Sequence, residues 1–333
     1  MQFITQSQSM AIKNGKVDGA TSVSEAGVAP VDTTENRKKA VEKFSDPAYN
    51  QPISRSPIAQ IINNQDPSKV GLFIKENALD AIGWTGQPAN HKHLFGGENE
   101  ELGILLKSPR LNVIQVSKRF IELRNDGDAG EKAGTLLNVI FESKEGYEFY
   151  EANKDKYALR RFYFVFILDE NNQNLHEIPI AISIKGIAST RFGLALEEFR
   201  SNVEAAFAGY MGTKNTRKSD EFHRLSVFNP TFAPSNEPKT EKNSNKRSWV
   251  AIVESFGVPS PDGSDFLNYF CEDKEETYND LVATNPDLSL NIGRISAIVQ
   301  EHNRQVLGAS NAIALLPPGA VIDVEDLNDN IPY

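Results

Sequence analysis

The sequence predicts an α+β fold in which an antiparallel β-sheet, curled on itself, carries at least one packed amphipathic helix. Two observations lead to this class. Short runs of alternating apolar and β-branched residues recur between residues 58 and 256, and turn residues divide them. The segment from Phe192 to Met211 instead repeats apolar residues at three- and four-residue steps, which is typical of a helix with one buried face.

A long hairpin gives the clearest strand signal. Aromatic and β-branched residues fill 157–168 and 176–185, and the Asn-rich segment 169–174 connects them. In the second strand Ile178, Ile180, Ile182 and Ile184 share one face, which we expect to lie in the core. The other strand candidates are 70–74, 102–106, 111–123, 225–232 and 248–256, and we predict that five or six of these segments and the hairpin strands together form one sheet.

The helix is expected to end at Gly212, a residue that accepts the left-handed conformation common at helix C-termini. Its spacing predicts one apolar face made of Leu194, Leu196, Phe199, Val203, Ala206, Phe207 and Tyr210.

Charge divides the chain of 333 residues unevenly. The net charge is -10, yet residues 271–333 alone hold 3 basic and 11 acidic side chains. We therefore predict four regions. They are a flexible N-terminal arm at 1–50, a β-rich body at 51–270, an acidic linker with a possible helix at 271–319, and an acidic tail at 320–333.

Several function classes lack their sequence signatures. The single cysteine, Cys271, rules out an intramolecular disulfide framework and predicts a cytoplasmic location, since no signal peptide or membrane span is visible. No phosphate loop, dinucleotide fingerprint or nucleophile elbow is present. His91 and His93 lack a third metal ligand nearby, and His176 is expected to be a hydrogen-bonded turn residue. We predict a non-enzymatic protein without a cofactor or metal.

The final residues are Asn328-Asp329-Asn330-Ile331-Pro332-Tyr333, and Asp323, Glu325 and Asp326 precede them. This segment resembles the acidic C-terminal tip of bacterial single-stranded DNA-binding proteins, which ends in Ile-Pro-Phe. The resemblance implies docking to replication, recombination or repair enzymes. Ile331, Pro332 and Tyr333 would fill an apolar pocket, while Asp326, Asp329 and the terminal carboxylate would meet Arg or Lys. Tyr333 stands where the family has Phe.

Two further resemblances are weaker. Residues 326–332 also look like the calcium-binding linker of cadherins, but the body has neither a repeat of about 110 residues nor the other acidic motifs of that family. The body at 52–270 is similar to an uncharacterised family found mainly in cyanobacteria. That similarity rests on three stretches, 103–110, 169–177 and 228–232 followed by Ser248-Trp249. It supplies no activity.

The resemblance of the tail directs attention to basic and aromatic residues in the body. Single-strand binding uses cations along a groove and rings on which bases stack, and a curled sheet of this size could be the oligonucleotide-binding (OB) barrel that such proteins often use. The candidate nucleic-acid-binding residues are Lys107, Arg110, Lys118, Arg119, Phe120, Arg124, Lys156, Tyr157, Arg160, Arg161, Phe162, Arg224, Phe228, Arg247 and Trp249.

The sequence thus predicts a protein that coats single-stranded DNA and recruits replication or repair enzymes through its acidic tip. Two alternatives remain open: a structural or scaffold protein of a plasmid, phage or bacterial cell without a nucleic-acid ligand, and a calcium-dependent adhesion module. Oligomerisation is compatible with each of them.

Overall fold

A computed structural model describes residues 55–95, 99–127, 131–237 and 247–298. The predicted N-terminal arm lies outside these residues. The same holds for the acidic tail, with its predicted partner-binding residues Asp326, Asp329, Ile331, Pro332 and Tyr333.

Twelve strands and five α-helices lie wholly within the described part of the chain, and residues 293–298 at its end are also helical. The strands are β1 (Ile58–Ile62), β2 (Gly71–Lys75), β3 (His91–Phe95), β4 (Asn99–Leu106), β5 (Arg110–Val116), β6 (Phe120–Leu123), β7 (Leu136–Ile140), β8 (Tyr157–Leu168), β9 (Ile180–Lys185), β10 (Val227–Phe228), β11 (Pro230–Glu237) and β12 (Ser248–Phe256). The helices are α1 (Glu76–Ala81), α2 (Lys144–Ala152), α3 (Gly186–Met211), α4 (Asp220–Arg224) and α5 (Glu275–Thr284). Short 3-10 turns lie at Pro67–Lys69, Phe266–Tyr269, Glu272–Lys274 and Leu288–Asn291.

One large sheet dominates this architecture, and its strands follow the order β10-β5-β8-β9-β1-β2-β4-β3. β6 and β7 extend it beside β8, while β11 and β12 form a separate antiparallel pair. All pairings are antiparallel except that of β1 with β9. The α+β class and the antiparallel character of the sheet are confirmed. The sheet is nearly twice as wide as predicted, because the alternation in 111–123 covers two strands and β1, β3 and β7 had weak signals.

The predicted hairpin is confirmed, with β8 paired to β9 from Arg160 opposite Lys185 to Val165 opposite Ile180. On its other edge β8 pairs with two strands in succession. β5 pairs with Tyr163 to Leu168, and β6 pairs with Tyr157 to Arg160. Residues 117–119 therefore interrupt the ladder in the middle of β8.

The helix α3 closes one face of the sheet. Phe192, Leu196, Phe199 and Val203 are buried against Tyr163, Val165 and the isoleucines of β9. Gly212 caps the helix in the left-handed conformation, as predicted. Leu194 and Tyr210 were assigned to the buried face, but each is more than half exposed. Tyr210 lies in the last turn of the 26-residue helix, whereas Leu194 lies between the buried Phe192 and Leu196 and faces away from the core.

The opposite face of the sheet is covered by residues that follow the predicted body. Phe162, Phe164 and Phe166 of β8 contact a second cluster that includes Tyr278, Leu288, Ile292 and Ile295. The Tyr278 hydroxyl donates to Asn112 and Asn174 at 3.0 and 2.9 Å. The segment from 271 to 298 is thus part of the folded body and not a linker. In the sequence, the many acidic residues of this segment outnumber the few large apolar residues that pack into the core, so the segment was predicted to be a linker.

None of the helices in these described ranges is long and apolar enough to cross a membrane.

Candidate nucleic-acid interface

The interruption at 117–119 brings three predicted cations to one place. Phe162 and Ser117 keep the strands together there, because Ser117 N donates to Phe162 O at 2.9 Å and its hydroxyl accepts from Phe162 N at 3.0 Å. Lys118 is exposed and Arg119 half-buried, and both lie in the break between β5 and β6, next to the part of β8 that contains Arg161. The break between the two strands therefore brings these residues close to Arg161 without a regular ladder.

Glu142 joins two of these cations. Its Oε1 lies 2.9 Å from Arg119 Nε and 3.6 Å from Arg161 Nη2, and its carboxylate also accepts from the Arg119 backbone N–H. Arg119 and Arg161 are therefore neighbours at the surface. One carboxylate offsets part of their positive charge.

Three aromatic rings lie on the side of Arg119. The Arg119 guanidinium lies 4.2 Å from the centroid of Phe141, whose ring is 5.6 Å from Tyr147 and 5.4 Å from Tyr150. Tyr147 is 52% exposed, so one ring face is open to a ligand. We call Lys118, Arg119, Phe141, Tyr147, Tyr150 and Arg161 the basic–aromatic surface.

The three rings of the basic–aromatic surface were not among the predicted contact residues. They occur in 141–150, a stretch rich in acidic residues, which are unfavourable near phosphates. The spacing of Tyr147 and Tyr150 on a short helix that follows Phe141 was the available signal, since residues three apart share a helix face.

Arg161 also lines a cleft of about 380 Å³ between β5, β8 and the helices α3, α4 and α5. Arg200 of α3 and Arg224 of α4 line it too, and we call it the arginine cleft. Arg224 donates to Ile114 O at 3.1 Å and to Asn279 Oδ1 at 3.0 Å, which fixes its guanidinium. Arg200 had not been predicted, because a single arginine on an amphipathic helix gives no distinguishing pattern.

Acidic groups of the cleft lie toward solvent. Glu197 is exposed, and Asp220, which pairs with Arg200 at 3.2 Å, has a side chain that is 78% exposed. Arg200 itself is only 22% exposed in its side chain. The cations thus lie deeper in the cleft than the carboxylates.

Two buried donors in this cleft lack well-formed hydrogen bonds. Tyr163 Oη and Arg161 Nε make no hydrogen bond of standard distance and angle among the described residues, although the side chains of Arg161 and Ser189 lie beside the Tyr163 hydroxyl. Burial raises the pKa of Tyr163, so its hydroxyl keeps its proton and remains a donor. Beside the cleft, His223 contacts Glu204 at 3.0 Å, and burial together with Arg200 lowers the pKa of its imidazole.

The remaining predicted cations lie elsewhere. Lys107 lies in the turn between β4 and β5, and Arg110 begins β5, about 20 Å of strand from Val116 at the other end of that strand. Arg110 is bound to Asp169 O and the Asn172 side chain. Arg124 donates to Tyr157 O, and Tyr157 and Lys156 line a separate pocket with the acidic Asp126, Glu131 and Asp155. Arg247 and Trp249 are exposed on the β11–β12 pair.

Four residues that were predicted to contact nucleic acid are buried and therefore do not belong to the interface. Phe120, Phe162 and Phe228 are at most 5% exposed, because β8 and its neighbours are covered on both faces. Arg160 is 4% exposed and pairs with the fully buried Glu122, which also lies 3.5 Å from Lys185. The positive charge of Arg160 is therefore paired with Glu122 inside the fold and does not face a ligand. The nearby cations hold the pKa of Glu122 below its usual range.

The histidines and the cysteine occupy structural positions. His176 is hydrogen-bonded at both ring nitrogens, as predicted for a turn residue. Cys271 is buried, which raises the pKa of its thiol to about 11. His91 and His93 pack around Phe73 at the edge strand β3. Within the described ranges, no three His, Cys, Asp or Glu side chains are grouped as a metal site.

The described residues define an α+β protein with a basic–aromatic surface beside an arginine-lined cleft. Residues 54–292 match the family model described as "Domain of unknown function (DUF5895)", and the chain belongs to this family. It is also 28% identical over 162 residues to the uncharacterized protein 254L of invertebrate iridescent virus 6. That alignment spans 48% of this chain and 45% of the viral protein. No solved structure matches the chain.

Proposed function

We propose that this protein is a non-enzymatic single-stranded DNA-binding protein and that the strand lies across the basic–aromatic surface. One observation carries the proposal: Arg119 lies over the ring of Phe141, which contacts Tyr147 and Tyr150, and Arg119 shares Glu142 with Arg161. Cations contribute salt-dependent attraction to phosphates, and an exposed ring contributes about 1–3 kcal/mol for each base stacked on it. Duplex DNA keeps its bases stacked and offers the rings nothing comparable.

The proposal includes an OB-like curl of the sheet around β5, β6 and β8. Register shifts between Val113 and Gln115 and between Phe120 and Glu122 support it, because bulges bend a strand and increase its twist. A curled sheet would present residues 117–119 on the side that a single strand can reach.

The experiment is a fluorescence anisotropy titration of labelled oligo(dT) at about 50 and 300 mM salt, with a duplex of the same length as comparison. We expect binding to the single strand that weakens steeply with salt. The Tyr147→Ala variant should lose about tenfold in affinity, whereas Tyr210→Ala, which removes an equally exposed ring on α3, should not. Equal losses in both variants would contradict this placement of the strand.

The second part of the proposal concerns recruitment through residues 323–333, which resemble the acidic tip of single-stranded DNA-binding proteins. Deleting them should leave strand binding intact or stronger and should abolish binding to a repair enzyme that recognises such tips. Unchanged enzyme binding would refute the recruitment. Stable self-assembly without any strand binding would instead favour the scaffold function.

A further inference from the structure

We infer that the arginine cleft is a phosphomonoester site, which takes the terminal phosphate of a strand or the phosphate of a free nucleotide. Arg161, Arg200 and Arg224 converge there from β8, α3 and α4. A phosphate monoester carries two negative charges and three terminal oxygens, which suits several guanidinium groups around one small volume.

The unpartnered donors point to a ligand independently of the arginines. Tyr163 is 1% exposed, and neither its hydroxyl, which lies beside Arg161 and Ser189, nor the Nε of Arg161 makes a hydrogen bond of standard geometry in the described part of the chain. A buried donor without a partner costs about 1–3 kcal/mol, and native proteins rarely leave two together. An acceptor bound in the cleft would satisfy both groups.

The elements around the cleft keep it open. Gly193 of α3 faces the Tyr163 hydroxyl, and a Cβ at this position would lie 3.4 Å from the oxygen, so a larger side chain would fill the space above it. The volume of about 380 Å³ exceeds that of a phosphate alone and leaves room for the attached sugar. The exposed carboxylates of Glu197 and Asp220 lie toward solvent, where the sugar would leave the cleft.

This site shares only Arg161 with the basic–aromatic surface. A strand that crosses that surface could therefore end in the cleft, and this strand-end source rests on the proposed function. Phosphate binding in the cleft does not depend on it.

Isothermal titration calorimetry with dTMP, inorganic phosphate and thymidine tests the inference on the full chain. We expect dTMP and inorganic phosphate to bind and thymidine not to bind. Tyr163→Phe should weaken dTMP binding by about tenfold while leaving the melting temperature unchanged or higher, because it removes a polar group that lacks a partner. Arg200→Gln should weaken it more, and Lys214→Gln, an exposed charge beyond the end of α3, should have no effect.

Oligo(dT) with and without a 5′- or 3′-phosphate separates the two sources. Tighter binding of one phosphorylated strand, lost in Arg200→Gln, would identify a strand end. If no oligonucleotide binds but dTMP does, the proposed function fails and the cleft remains a nucleotide site. Equal binding of thymidine and dTMP, or dTMP binding that Tyr163→Phe and Arg200→Gln leave unchanged, would overturn the inference.

Discussion

His176 lies in the connection between β8 and β9, where the protein fixes its tautomer. The Ile167 backbone N–H donates to Nε2 at 2.8 Å, and Nδ1 donates to Ile178 O at 2.7 Å. The ring also stacks on Phe166. Burial lowers the pKa of His176 to about 4. In the folded protein the imidazole of His176 therefore stays neutral down to about pH 4, whereas in the unfolded chain it would have the usual histidine pKa of about 6.5.

This shift predicts a pH-dependent stability. Between about pH 6.5 and 4 the unfolded state binds a proton at His176 that the folded state does not, so the free energy of unfolding falls as the pH falls. In His176→Gln, we expect the loss between about pH 6.5 and 4.5 to shrink by roughly 2–3 kcal/mol. Urea unfolding at each pH measures it, with His91→Gln as the control. An unchanged pH slope in His176→Gln would show that other groups cause the loss.

Glu142 provides a second prediction at the scale of one residue. Its carboxylate offsets the charges of Arg119 and Arg161, so Glu142→Gln should free both for phosphates. We expect oligo(dT) affinity at low salt to rise about three- to tenfold, with a steeper salt dependence. Glu145→Gln, an exposed change in the first turn of α2, serves as the matched control in the anisotropy titration. A loss of affinity in Glu142→Gln would mean that the carboxylate positions the arginines more than it competes with the strand.

Among the elements, α2 is the one whose position decides the basic–aromatic surface. Ser143 caps it by accepting from Gly146 N at 2.9 Å, and Gly146 lies so close to β7 that a Cβ there would be 1.9 Å from Ile140 O. Only glycine permits this approach. Because α2 lies this close to β7, Tyr147 and Tyr150 contact the ring of Phe141.

Gly146→Ala should therefore displace α2 and weaken oligo(dT) binding severalfold, while dTMP binding in the arginine cleft stays unchanged. Ser143→Ala removes the cap and the hydroxyl's hydrogen bond to Ile140 O without moving the helix, and it should cost about 1 kcal/mol in stability. Calorimetric titration and thermal melting of both variants distinguish displacement of α2 from loss of its cap. Normal strand affinity in Gly146→Ala would show that the rings are not needed in this position.

At the scale of the molecule, the folded body extends to at least residue 298. Truncation after residue 270 removes Tyr278, Leu288, Ile292 and Ile295 from the second cluster, each at most 1% exposed. Losing one large buried side chain costs about 2–5 kcal/mol, so we expect the truncated chain to lose cooperative unfolding. A chain ending at residue 298 retains every contact described above and is the control. A sharp thermal transition in the shorter chain would contradict this boundary.

Periodicity predicted the parts of the fold that are local in sequence. The β8–β9 hairpin and the helix ending at Gly212 follow from alternation, three- and four-residue spacing and a C-terminal glycine. The burial of Phe162 and Phe228 did not follow, since alternation separates two faces without saying that both are covered. Likewise, the approach of Arg200 to Arg161 depends on how α3 crosses the sheet. Arg161 and Arg224 were predicted as ligand residues, but their shared cleft is a tertiary feature.

The parallel pairing of β1 with β9 also constrains the order in which the sheet can form during synthesis. Strands β1 to β4 pair among themselves within residues 58–106, whereas Ile58 finds its partner Ala181 only after β9 has been made. Until then the outer edge of β1, with Ile58, Ile61 and Ile62, has no neighbouring strand. An unpaired apolar edge recruits other chains. Slow translation between β4 and β9 would therefore lengthen the period in which the nascent protein is prone to aggregate.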